Sequence, residues 1–253
     1  MRFDVNGPQG PLYVDRSIPP NRIGSGESDG GVIVISSGFI AGQLPSHVGT
    51  HVEAEAERYS TSTGWVTYSF APSGVGESAG VFTPDSWTAD LAAVIAAVRK
   101  EHGGAPLVAF GCGVFGAVVP WFRLGRVAAD GVVSVGTPLH ALGADSYARL
   151  GELMVASGVR VRSGEFEDIV TSELSLYRRC GGVRVQEIAE TEQASPWLII
   201  HPTSGRSELE GALTPELLSS AGVEVHYFQG DLGSIAYDPR SMAVIVGWLE
   251  RRY

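Results

Sequence analysis

The side chains able to do chemistry are few and scattered, and the stretch best suited to mount one of them carries glycine. "GCGVFG" (111–116) follows the apolar run "APLVAF" and precedes "AVV": a strand, a tight glycine turn and the start of a helix. A turn of this kind lifts its apex side chain clear of the sheet, which suits a nucleophile. The apex is Gly113, with the thiol of Cys112 beside it. "SVGTPLHAL" places His140 just beyond another strand, five residues before Asp145. An imidazole and a carboxylate so placed can act as base and orienting group, or His140 can simply bond to backbone. His47 and His51 stand four apart on a predicted helix, with Glu53, Glu55 and Glu57 close behind. One-turn spacing lets two imidazoles share a metal, but no third ligand stands at matching spacing. A solvated polar face, and no metal, is expected there. The glycine-rich "GSGESDGG" (24–31) reads as a surface loop and not as a phosphate cradle.

These groups need a scaffold, and the periodicity supplies one. "RFDV", "NGPQG" and "PLYVD" read as an opening hairpin turning at Asn-Gly. Strands follow at 31–36, 64–70, 106–110, 130–135, 197–201 and 223–228, most of them continuous apolar runs of the kind buried on both faces. Helices are expected over 46–59, over "TPDSWTADLAAVIAAVRKEHGG", after the glycine turn, at "TPELLSSAG" and at "PRSMAVIVGWLERR". Thr83 can cap the second of these, Pro84 suits its first turn, and Gly103 ends it. Its apolar stripe is Trp87, Leu91, Val94, Ile95 and Val98. Alternating strands and helices predict an α/β fold with a mostly parallel central sheet flanked by helices. The rhythm breaks over 140–190, read as a helical lid inserted in a single domain spanning 1–253.

Bulk composition narrows the partners. The chain has 253 residues, 18 Lys and Arg against 28 Asp and Glu, a net charge of −10 and one lysine, Lys100. Clustered cations for a nucleic-acid groove or an anionic membrane are missing, so neither is expected as a partner. Two cysteines, Cys112 and Cys180, are too few for a disulfide framework, and the amino terminus lacks a signal-peptide core. Reduced thiols and a cytoplasmic location are expected, with a homodimer left open.

Four motifs in sequence order resemble the α/β-hydrolase fold, in its small esterase and acyl-transferase branches. "VIVISSGF" (32–39) is similar to the first strand and oxyanion loop, and "FAPSGVGESAGVF" (70–82) to the Gly-x-Gly-x-Ser segment at Gly74, Gly76 and Ser78. "LVAFGCGVFGA" resembles the strand and nucleophile elbow, and "WLIIHPTSG" the strand leading to the catalytic acid. The stretch "YFQGDLGSIAYDP" resembles the segment that carries the catalytic histidine.

Laid on these motifs, the nucleophile, acid and histidine positions are Gly113, Gly205 and Gly233. Glycine can neither attack nor move a proton, and loss of any triad member costs orders of magnitude in rate. The elbow's strained backbone is relaxed by glycine, so the loss need not cost stability. The resemblance implies that the oxyanion donors survive as the backbone N–H groups of Phe39 and Val114, with hydroxyls from Ser36 and Ser37. Cys112 is expected to face away from the apex and pack beside the sheet. His201 is expected to be structural, while Asp231 and Ser234 flank the vacated histidine position. The first expectation is a non-hydrolytic protein needing no cofactor. It would hold an apolar, carbonyl-bearing small molecule at Ser37, Phe39, Gly113, Val114 and His140, with cyclisation, isomerisation, elimination or decarboxylation as its chemistry. The alternatives are a ligand-binding pseudoenzyme without turnover and an esterase or thioesterase relocated to Cys112, His140 and Asp145.

Overall fold

The computed structural model describes residues 1–22, 30–36, 47–113, 129–137, 152, 156, 158–160, 195–206, 210, 218, 222–231 and 233–253. Eight strands form one sheet: β1 (Val5–Gly7), β2 (Gly10–Ser17), β3 (Val32–Ser36), β4 (Val66–Ala71), β5 (Leu107–Cys112), β6 (Gly131–Val135), β7 (Trp197–Pro202) and β8 (Val223–Phe228). Their spatial order is β1-β2-β4-β3-β5-β6-β7-β8. β1 and β2 pair antiparallel, as do β2 and β4, and every later pairing is parallel. The opening hairpin turns at Pro8-Gln9 between paired Gly7 and Gly10, not at Asn6-Gly7. Gly10 supplies the positive φ of 121° that this turn needs.

Strand alternation divides the core. Val32, Val34, Leu107, Ala109, Val132, Trp197 and Ile199 pack with Trp87, Leu91, Val94, Ile95 and Val98, the expected stripe of α2 (Pro84–His102). The intervening residues Ile33, Ile35, Val108, Phe110, Val133, Val135, Leu198 and Ile200 pack on the other face. There they meet Tyr59 of α1 (Val48–Thr63) and Ile245, Trp248 and Leu249 of α3 (Pro239–Arg252). Burying a large apolar side chain contributes about 1.5–3 kcal/mol, so the fully buried Trp87, Trp197 and Trp248 anchor both layers.

Local chemistry fixes the helix ends. Thr83 and Ser86 form a reciprocal capping box at 3.0 Å in each direction, with Pro84 at the first turn, and Gly103 closes the helix. Asp238 caps α3 by accepting from the Arg240 N–H at 2.8 Å. Beyond β4 the glycine-rich loop is stapled by Ser78, whose Oγ accepts from the Tyr13 N–H at 2.8 Å and donates to the Ala71 carbonyl at 2.6 Å. Within 140–190, the described residues include Arg160. It pairs backbone to backbone with Gly74 and Phe82, and its guanidinium donates to the carbonyls of Gly76, Ser78 and Gly80. Apart from residues 152, 156 and 158–160, the helical lid expected over 140–190 lies outside the described residues, as do most of the segments 24–31 and 214–222.

Candidate active site

Parallel strands deliver their carboxyl ends to one edge of the sheet, where open α/β sheets bind ligands. The three glycines assigned to vacated triad positions stand there. Gly113 follows β5, Gly205 ends a short 3₁₀ turn after β7, and Gly233 precedes a 3₁₀ turn (Ser234–Tyr237) after β8. Gly113 has φ +58°, the left-handed region in which a side chain is strained, and its N–H donates to the Val135 carbonyl at 3.0 Å. Among the described residues no atom comes within 4 Å of a Cβ built at Gly113. A side chain at this position would carry backbone strain, which glycine avoids.

β5 extends two residues further than the sequence pattern indicates, so Cys112 is a strand residue on the same face as Val108 and Phe110. It is half-buried, and its Sγ lies 3.3 Å from the Tyr59 hydroxyl. Burial, with the nearby Glu55 charge adding to it, pushes the Cys112 thiol up to about 12. Burial likewise raises Tyr59 well above its ordinary value. Both groups are neutral near pH 7, and thiolate chemistry at Cys112 is suppressed.

The α1 face is where sequence reasoning went astray. His47, Glu53 and Glu57 are exposed as a solvated helix face requires, but His51 and Glu55 are not. Their side chains are 10% and 6% exposed, with His51 Nε2 3.7 Å from Glu55 Oε2. Glu55 occupies a core-facing position of α1, in the spacing Val48, Val52, Glu55, Tyr59. That 4-3-4 pattern was readable in the sequence and would have singled out Glu55 and Tyr59, two residues that a search for motifs passes over. Arg58 lies over the rings of both Tyr59 and Tyr237 and donates to the Ala236 carbonyl, tying α1 to the loop that carries Gly233. Burial and the Glu55 charge raise Tyr237 to about 12.

The remaining sequence candidates divide. Ser36 is fully buried and its Oγ accepts from the Trp87 indole N–H at 3.0 Å, which engages it on the α2 side. His201 is fully buried in β7, with Nδ1 3.2 Å from the Pro202 carbonyl oxygen. Asp231 accepts from the N–H groups of Gly233 and Ser234 at 2.9 and 2.8 Å, a turn-stabilising role that holds its carboxyl below the ordinary range. Ser37, Phe39, Val114, His140 and Asp145 lie outside the described residues. Among the described residues no three His, Cys, Asp or Glu side chains are grouped to hold a metal, and no helix is long and apolar enough to cross a membrane.

No family model matches the chain, and no curated protein matches it significantly. Solved structures do. The chain is similar to an esterase of Pyrococcus furiosus, Pf2001, at TM-score 0.65 and 14% identity over 100% of this chain and 90% of that one. An esterase of Pyrobaculum calidifontis aligns at TM-score 0.62 and 16% identity, covering 99% and 85% of the two chains. An α/β serine hydrolase without a lid from Xanthomonas campestris aligns at TM-score 0.52 and 17% identity, covering 99% and 92%. Identities this low carry the architecture alone. With the strand order and the glycine turn after β5, they establish that this chain has the α/β-hydrolase fold.

Proposed function

We propose that this protein is an α/β-hydrolase-fold protein that works without an acyl-enzyme. In this reading it holds an apolar, carbonyl-bearing small molecule at the carboxyl edge of the sheet, and Gly113, Gly205 and Gly233 stand where the nucleophile, acid and histidine would be. The backbone N–H groups of Phe39 and Val114 hold the ligand oxygen, so shape and fixed dipoles do the work. Cyclisation, isomerisation, elimination and decarboxylation all fit such a site. The observation that carries the reading is Gly113 itself, a left-handed elbow apex with no side chain. The test is a fluorophosphonate probe with intact-mass detection. No adduct should form, while acyl or polyketide-like substrates are turned over; a stoichiometric adduct would sink the proposal.

A second reading has its own support: the similar structures from Pyrococcus furiosus and Pyrobaculum calidifontis are esterases. Ester cleavage would then run through a relocated nucleophile. Cys112 is the thiol nearest the apex, but burial and the nearby Glu55 charge keep it protonated. The esterase reading predicts cleavage of 4-nitrophenyl butyrate that disappears in Cys112→Ala.

A further inference from the structure

The loop between β4 and α2 belongs to no strand or helix, yet Pro72, Ser73, Gly74, Val75 and Ser78 are buried. Its backbone polar groups therefore need partners within the protein. Several come from close by. Asp90 of α2 accepts from the Ser73 N–H at 2.7 Å and from its hydroxyl at 3.0 Å. Gln9 in the opening hairpin accepts from the Val81 N–H and donates to its carbonyl. The N–H groups of Gly74 and Ser78 turn back onto the carbonyls of Ala79 and Val75.

The carbonyls of Gly76, Ser78 and Gly80 are met differently, by one side chain 80 to 84 positions further along the chain. Positive φ at Gly74, Gly76 and Gly80 (+80°, +54° and +76°) lets these alternate carbonyls converge. Arg160 Nε donates to Gly80 at 3.2 Å, Nη1 to Gly76 at 2.8 Å and Nη2 to Ser78. Each nitrogen of the planar fork thus takes its own carbonyl, which the point donor of a lysine cannot do. Main-chain bonds stand beside these. The Arg160 N–H donates to the Gly74 carbonyl at 2.8 Å, and the Arg160 carbonyl accepts from the Phe82 N–H at 2.7 Å. The approach is close enough that a Cβ on Gly74 would stand 2.7 Å from the Arg160 carbonyl oxygen. Val159 is buried in the same cluster as Val75 and Phe82.

We propose that the 74–80 loop is a carbonyl cradle for a guanidinium group, which the chain fills with its own Arg160. The side chain acts as a strap: it pins residues 158–160 to the loop that leads from β4 into α2. That loop begins at the carboxyl end of β4, so the strap fixes backbone at the edge where open α/β sheets take ligands. The assignment stands whether or not Gly113 is a vacated apex. The two main-chain bonds survive loss of the side chain, so the contribution of the guanidinium can be measured apart from them.

The experiment is amide hydrogen exchange on the full chain, with methylguanidinium as the probe. Arg160→Ala should exchange the amides of Gly74, Ser78 and Phe82 about tenfold faster than wild type, with Val108 and Phe110 in β5 unchanged. Arg160→Lys keeps the charge and the aliphatic stem but should be nearly as fast, because one ammonium cannot serve three divergent acceptors. Methylguanidinium, far below denaturing concentration, should restore protection to Arg160→Ala with a saturable dependence. It should do nothing to the wild type, whose cradle is filled. Potassium chloride at equal ionic strength should not substitute. Unchanged exchange in Arg160→Ala, full protection in Arg160→Lys, or recovery by potassium equal to that by methylguanidinium would each overturn the proposal. So would the absence of any recovery with methylguanidinium.

Discussion

Two polar clusters lie at opposite ends of the parallel strands, and they are built differently. At the amino end Tyr68 bonds to His102 Nε2 at 2.8 Å and to Glu101 at 3.1 Å, while Arg16 closes an ion pair with Glu101. At the carboxyl end the separations are longer: 3.7 Å between His51 and Glu55, and 3.3 Å between Tyr59 and Cys112. The amino-end groups satisfy one another with short bonds, which is how a structural network lowers free energy. The carboxyl-end pairs are looser, one an ion pair and the other a hydrogen bond to sulfur, and Cys112 adjoins the glycine turn that follows β5. Folds commonly concentrate stability away from the site and accept less of it at the site.

The largest effect that would sharpen this contrast is on Cys112. In a Cys180→Ser background, iodoacetamide should modify it at pH 8 about a thousandfold more slowly than a free thiol, because only the thiolate reacts. Modification at the free-thiol rate, read by mass spectrometry, would show an activated thiol and reopen the relocated-nucleophile reading.

Alkaline pH should destabilise the whole molecule. Burial pushes Tyr13, Tyr237 and Tyr253 up to about 12, and raises Tyr59 and Tyr68 well above their ordinary value. Between pH 10 and 12 the unfolded chain releases these phenolic protons while the native state keeps them. Stability fully present below pH 10 is therefore lost as pH rises toward 12. Urea midpoints should fall steadily over that window, and a flat profile would contradict the burial of the phenols.

Removing single hydroxyls separates the two ends. Tyr68→Phe should cost about 1–2 kcal/mol in urea unfolding, since His102 and Glu101 both lose a bond. Tyr59→Phe should cost less than about 1 kcal/mol, since it forfeits one longer contact to sulfur. Equal losses would erase the distinction between the clusters.

The architecture was legible because its signals are local and periodic. Strands such as "VIVIS" are apolar at every position because both faces are covered, and α2 announces itself through Thr83, Pro84 and a stripe that is buried throughout. The glycine turn was legible for a related reason, since Gly113 lies where strand pattern stops and φ becomes positive. The α1 face was misread because its polar letters look like a surface pattern. Glu53 and Glu57 are on that surface, but Glu55, one residue round from the solvent, is carried inward with Val52 and Tyr59.

Sequence alone determined the strand-and-helix order, and with it the edge of the sheet where the parallel strands end, because periodicity and glycine punctuation act over a few residues. It determined too that Gly113, Gly205 and Gly233 bring no reactive side chain to that edge. Only the tertiary structure decided which polar groups meet there. Tyr59 and Cys112 are 53 positions apart and touch because α1 descends antiparallel to β5 on the face they share. Contacts between distant segments are set by how layers pack, and no local pattern encodes that distance.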